Sequence, residues 1–142
     1  MILNNMGVYA QSTGDMEKAM EHYQKSGTSE AGANAGAIYI NRGEYAQAVN
    51  SFGSMKSFNS ALAKTLNGDY ADALTVIDES PTAEEAKSHY LKAIIGARQG
   101  DKNAAITSLK AAIAADSSLK DKAKTDAEFT AYFDDAEFQA AV

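Results

Sequence analysis

Apolar residues recur at helical spacing through most of this chain, and Gly-acid pairs cut the pattern at intervals. Leu3, Met6, Gly7 and Ala10 make a stripe at i, i+3, i+4 and i+7. Ala35, Gly36 and Tyr39 make a second, and Leu91, Ile94 and Ile95 a later one. The stripes run into Gly14-Asp15, Gly43-Glu44 and Gly100-Asp101, and Gly68-Asp69 supplies a further pair. Beyond each pair comes Ala five residues after the Gly (Ala19, Ala48, Ala73, Ala105). A large apolar residue follows nine after it (Tyr23, Phe52, Ile77, Leu109). Matches at three linked positions in all four places define an internal repeat.

The unit has a physical logic. Glycine takes the left-handed conformation that ends one helix. The acid after it caps the next helix, where negative charge is favourable. The Ala and the large residue lie one turn apart on a single face, so the Ala admits a close neighbour and the large side chain fills the space beside it. The prediction is an all-α fold: an α-α superhelix of four helix hairpins at about 2–26, 29–55, 57–79 and 82–115, closed by short capping helices over 117–142, in one domain. For the fourth hairpin, "ESPTAEEA" offers two starts: Ser80 before Pro81, or Thr82 with Glu85 as a capping box.

This pattern resembles the tetratricopeptide repeat, whose unit runs large residue, Leu-Gly, Tyr, Gly-acid-aromatic, Ala, aromatic, Ala. The first copy reads Leu3, Met6-Gly7, Ala10, Gly14-Asp15-Met16, Ala19, Tyr23 and Ser26. The second reads Ala35-Gly36, Tyr39, Gly43-Glu44-Tyr45, Ala48 and Phe52. The third keeps Ala61, Gly68-Asp69-Tyr70, Ala73 and Ile77; the fourth keeps Ala93, Gly100-Asp101, Ala105, Leu109 and Ala112. The resemblance implies that the first helix of each pair lines a concave groove receiving a protein or peptide. Carried over residue by residue, that groove comprises Asn4, Val8 and Gln11, then Ala33, Asn34, Ala37, Ile40 and Asn41. It continues as Phe58, Leu62 and Thr65, then Lys87, Tyr90, Ile94 and Arg98. Some members of the family clamp a peptide carboxylate with Lys, Asn and Arg. Here Asn34 matches one such Asn, but Asn4, Met55 and Asn59 stand at the basic positions, so the clamp is missing. A neutral, partly apolar groove favours apolar ligand side chains. The competing expectation is that Val8, Ile40, Phe58, Leu62 and Ile94 are simply packed.

Composition narrows the functions. A net charge of −6 argues against a general nucleic-acid binder, which needs a basic face. With no cysteine, disulfides, thiolate metal sites and a Cys nucleophile are excluded. No apolar run is long enough to cross a membrane. His22 and His89 lie in no metal motif, and no serine sits in a nucleophile elbow. The acid pairs Asp78-Glu79, Glu84-Glu85 and Asp134-Asp135 are sequence neighbours, which do not face one another on a helix. The expectation is therefore no catalytic residues, no metal and no cofactor.

Two alternatives stand beside groove binding. One is an assembly domain: the opening "MILNNMGVYA" reads as the middle of a helix, as in a piece cut from a longer protein, and its apolar edge would stack on an upstream repeat, another domain or a second copy. The other is a helical-bundle enzyme or small-molecule carrier. The C-terminal stretch also resembles the ends of tetratricopeptide arrays in bacterial proteins, some of them in the cell envelope. That implies a soluble bacterial chain, periplasmic if cut from an envelope protein and otherwise cytoplasmic. In that stretch DAEF occurs twice, and Thr125 with Glu128, then Asp134 with Glu137, are predicted to cap two short helices whose Phe129, Tyr132, Phe133, Phe138, Ala141 and Val142 cover the last hairpin.

Overall fold

The computed structural model describes residues 1–142. Ten α-helices and no strand make up an all-α structure. They are α1 (Ile2–Ser12), α2 (Met16–Ser26), α3 (Ser29–Arg42), α4 (Tyr45–Phe52), α5 (Phe58–Asn67), α6 (Tyr70–Asp78), α7 (Ala86–Arg98), α8 (Lys102–Ala115), α9 (Leu119–Ala123) and α10 (Ala136–Ala141). A 3-10 segment, Ala127–Tyr132, precedes α10. The chain divides into two compact units, Met1–Val76 and Ile77–Val142.

The Gly-acid pairs form the same turn each time. In the α3–α4 turn Gly43 has φ +75°, its N–H donates to Ile40 O, and the Glu44 N–H reaches back to Tyr39 O at 2.9 Å. These two bonds satisfy carbonyls that the helix end would otherwise leave unpaired. Gly14-Asp15, Gly68-Asp69 and Gly100-Asp101 repeat both bonds. Two of these acids go on to cap the next helix. Asp15 caps α2 by accepting from the Lys18 N–H, and Asp101 caps α8 by accepting from the Ala104 N–H. Glu44, one methylene longer, makes no side-chain cap on α4.

In the first unit, two small cores sit between successive helices. Ala10, Ala19, Met20 and Tyr23 pack with Ala31, Ala35 and Ile38 of α3. Ala48 and Phe52 of α4 pack with Ala63 of α5, edged by Ala33, Tyr39, Ile40 and Val49. Glycine makes these contacts close. A Cβ placed on Gly7 would lie 2.5 Å from the Tyr23 ring, and one on Gly36 would lie 2.6 Å from the Phe52 ring. The second unit solves the same problem with other sizes: Ala93 and Leu109 share its core, an Ala where the first unit has Gly and a Leu where it has an aromatic ring. Ala19, Ala48, Ala73 and Ala105 are all fully buried or nearly so.

The core of the second unit joins α7 and α8 to the C-terminal segment. Phe129 and Phe138 enter it beside Ile106, Leu109 and Ile113, with Phe129 edge-on to the Tyr90 ring at 5.7 Å.

The structure corrects three local expectations. α7 begins at Ala86, because residues 79–84 form turns in which Thr82 Oγ1 pairs with Ser80 and Ser88 hydroxyls rather than opening a helix. The caps near the C-terminus are Asp126 and Asp135, each one residue later than expected: Asp126 accepts from the Glu128 N–H, and Asp135 from the Glu137 and Phe138 N–H groups. Thr125 instead donates to the Lys122 carbonyl. The first of the two segments is 3-10 rather than α-helical.

Candidate protein-binding face

The sequence places the candidate groove on α1, α3, α5 and α7. Within the first unit α3 touches both α1 and α5, which sets three of these helices side by side. Asn34 Nδ2 donates to Asn4 Oδ1 at 3.2 Å, so two groove residues from different repeats meet. Each primary amide has two donors and two acceptor lone pairs, so this one bond leaves hydrogen-bonding capacity on both residues. Gln11 is held in place by the Tyr23 hydroxyl, which donates to its Oε1 at 2.8 Å. Val8 is 47% exposed and Asn41 is exposed, while Ala37, Phe58 and Leu62 are half-buried.

Other positions are drawn into the cores. Ile40 and Ala33 pack around Phe52. Thr65 is buried and donates its hydroxyl to the Ala61 carbonyl, which removes it from any open surface. Tyr39, a packing position, borders both cores of the first unit, and its hydroxyl accepts from Gln24 Nε2.

In the second unit the α7 positions carry the chain's own C-terminal segment. Tyr90 is only 4% exposed; its hydroxyl donates to Asp126 Oδ2 at 2.7 Å, and Lys122 Nζ lies 4.5 Å from its ring centre. Burial first, and then the bond to Asp126, push the Tyr90 hydroxyl well above the usual tyrosine range. Ile94 packs against the Phe129 core, and Arg98 grips Glu128 with Nε at 2.9 Å and a second nitrogen at 2.5 Å. Lys87 lies on the exposed start of α7, 3.1 Å from Glu85. Sequence spacing could place Tyr90, Ile94 and Arg98 on one helix face. It could not show that residues 125–133 fold back on that face.

The second DAEF is anchored likewise. Lys102 Nζ pairs with Asp135 at 2.9 Å and with Glu137 at 3.5 Å. The hydrogen bond from Lys102 holds the Asp135 carboxyl below the usual carboxylate range, aided by the N–H groups of Phe138 and Glu137. These acids are thus helix caps and ion-pair partners. No three His, Cys, Asp or Glu side chains come together in a way that could hold a metal ion. His22 sits at the foot of a cleft between α1 and α2 with Nδ1 buried and unpaired, and His89 Nε2 lies 3.6 Å from Glu84. No helix is long and apolar enough to cross a membrane.

The apolar edge expected of the opening helix lies on another side of α1. Ile2 (79% exposed), Met6 (46%) and Tyr9 (71%) border a cleft of about 460 Å³.

Comparison with known proteins agrees with the hairpin geometry. A family model described as tetratricopeptide repeat matches residues 2–26, which hold α1 and α2, and residues 84–119, which hold α7 and α8. No curated protein matches the chain. Repeats of this kind are in general protein-interaction or scaffold modules. In their turn glycines, their Ala-and-large-residue faces and these two matches, the α1–α2 and α7–α8 hairpins are similar to tetratricopeptide repeats.

Proposed function

We propose that the chain is a non-enzymatic protein-binding module that holds an extended partner segment across α1, α3 and α5. One observation carries this: the Asn34–Asn4 bond joins two first helices side chain to side chain and leaves amide donors and acceptors for a partner's main chain. Val8, one turn from Asn4 on α1, and the half-buried Leu62 of α5 add apolar surface, suiting a segment with apolar side chains. Amides read a peptide backbone without charge, which suits the missing carboxylate clamp. Binding through α7 is weaker in support, because Tyr90, Ile94 and Arg98 engage residues of the C-terminal segment.

Selection of linear peptides from a random displayed library, followed by calorimetry, tests this. Selected peptides should lose up to about tenfold in affinity with Asn34→Ala, the worth of one or two net hydrogen bonds. Val8→Glu should remove most of the binding, whereas Tyr9→Glu, about 100° further round α1, should leave it within twofold. Peptides indifferent to Asn34 and Val8 would overturn the proposal.

A further inference from the structure

A small polar pocket lies in the first unit where the turn after α4 meets α5 and α6. It measures about 210 Å³, and Gly53, Ser54, Lys56, Lys64, Asp72 and Thr75 line it. Its rim is a defined turn. Gly53 has φ +55° and ψ −125°, and the Met55 N–H donates to Phe52 O at 3.1 Å, which is a type II′ turn with Gly53 at the first central position. Glycine takes that conformation without steric cost, so the turn holds Ser54 at the pocket. Ser54 is exposed, and its N–H and hydroxyl bond to no other group of the chain, so both can donate to a ligand.

Lys64 carries the argument. Its side chain is only 14% exposed, yet its ion-pair partner Asp72 stands 3.8 Å away, beyond hydrogen-bond reach. A charge so far withdrawn from water is costly unless it is hydrogen-bonded. Asp72 does not meet that need, and the ammonium N–H donors are left for an acceptor in the pocket. Lys56 adds a second cation to the lining, against the single carboxylate of Asp72. We propose that this pocket binds a small oxyanion of the phosphate type, either the free ion or the phosphate of a monoester. Its volume falls below the roughly 300–1,000 Å³ of drug-sized ligand sites, which suits an ion of this size. Lysine binds phosphate as a point charge, and the Ser54 N–H and hydroxyl supply directed donors beside it. The chain as a whole carries a net charge of −6, which repels anions at long range, so attraction here is local to the pocket. None of these residues belongs to the segment-binding set on α1, α3 and α5, so the two proposals stand or fall separately.

Inorganic phosphate is titrated into the isotope-labelled full chain at fixed ionic strength, with chloride as the control. Saturating amide shifts are expected at Ser54, Lys56 and Lys64, with a dissociation constant on the order of 1 mM. Lys64→Met should weaken binding about tenfold or more, the worth of hydrogen bonds to a charged group. It should not lower the melting temperature, because it removes a charge buried without a hydrogen bond. Asp72→Asn, at a side chain 76% exposed, should tighten binding about two- to fivefold by removing a like charge. A merely structural ion pair would give no such gain. Glycerol 3-phosphate separates the two sources: the same shifts place a monoester's phosphate in the pocket, and binding of the free ion alone assigns it to inorganic phosphate. Shifts that fail to saturate, an equal response to chloride, or binding that neither Lys64→Met nor Asp72→Asn alters would overturn the proposal.

Discussion

Replacing Gly36 by Ala pits two effects of known sign against each other. Mid-helix, Ala is better than Gly by roughly 0.5–1 kcal/mol. Against this, the new Cβ would lie 2.6, 2.8 and 2.9 Å from three atoms of the Phe52 ring. Phe52 is 4% exposed and walled in by Ala48 and Ala63, so the ring has little room to retreat. Overpacking of this kind costs about 1–3 kcal/mol, so Gly36→Ala should be net destabilising by about 1–2 kcal/mol. Phe52→Leu alone should also destabilise, by leaving a cavity beside Gly36. The two together recreate the Ala-with-Leu pairing of Ala93 and Leu109, and should couple favourably by about 1–2 kcal/mol. Urea melts of the four proteins, read as midpoints at constant m-value, close the cycle. Gly43→Ala is the control. Nothing lies within 4 Å of its Cβ position, but φ is +75°, so its cost of about 1–2 kcal/mol is purely backbone and Phe52→Leu should not rescue it. Additivity of Gly36→Ala and Phe52→Leu within about 0.5 kcal/mol would refute the close-contact account.

Three further outcomes follow from the C-terminal segment. Phe129→Ala should cost about 3–5 kcal/mol in a denaturant melt, because Phe129 is fully buried in the second unit's core. Asp135 has a depressed pKa, so its contribution is fully present above the unfolded value near 3.9 and lost as pH falls through the lower folded value. Asp135→Asn should therefore flatten the acid limb of a melting-temperature profile below about pH 4. Added Ca²⁺ should leave the melting temperature of the intact chain unchanged; a rise of several degrees would show that the acids around DAEF ligate a cation.

The hairpins were legible because their information is local. Gly43 and Glu44 bond to carbonyls only three and five residues back, so turn and sequence pattern carry the same content. The caps were off by one for a local reason too: Thr125 and Asp126 are both good capping residues, and only the bond from the Glu128 N–H decides between them. The candidate face was harder to see. Helical spacing groups Tyr90, Ile94 and Arg98, but the partners of Tyr90 and Arg98, Asp126 and Glu128, stand 36 and 30 residues away. Likewise Val8 and Ile40 look alike in sequence, yet one is half exposed and the other packs by Phe52, a difference set by neighbouring helices.

The central claim, recognition of a partner segment by the inner face of the first unit, is tested most directly by NMR. A selected peptide is titrated into the isotope-labelled chain, and amide and side-chain shifts are followed. The account predicts saturating shifts at Asn4, Val8, Gln11, Asn34, Ala37, Asn41 and Leu62, including the Asn4 and Asn34 side-chain amides. Shifts confined to Ile2, Met6 and Tyr9, or to residues of the second unit, would contradict it.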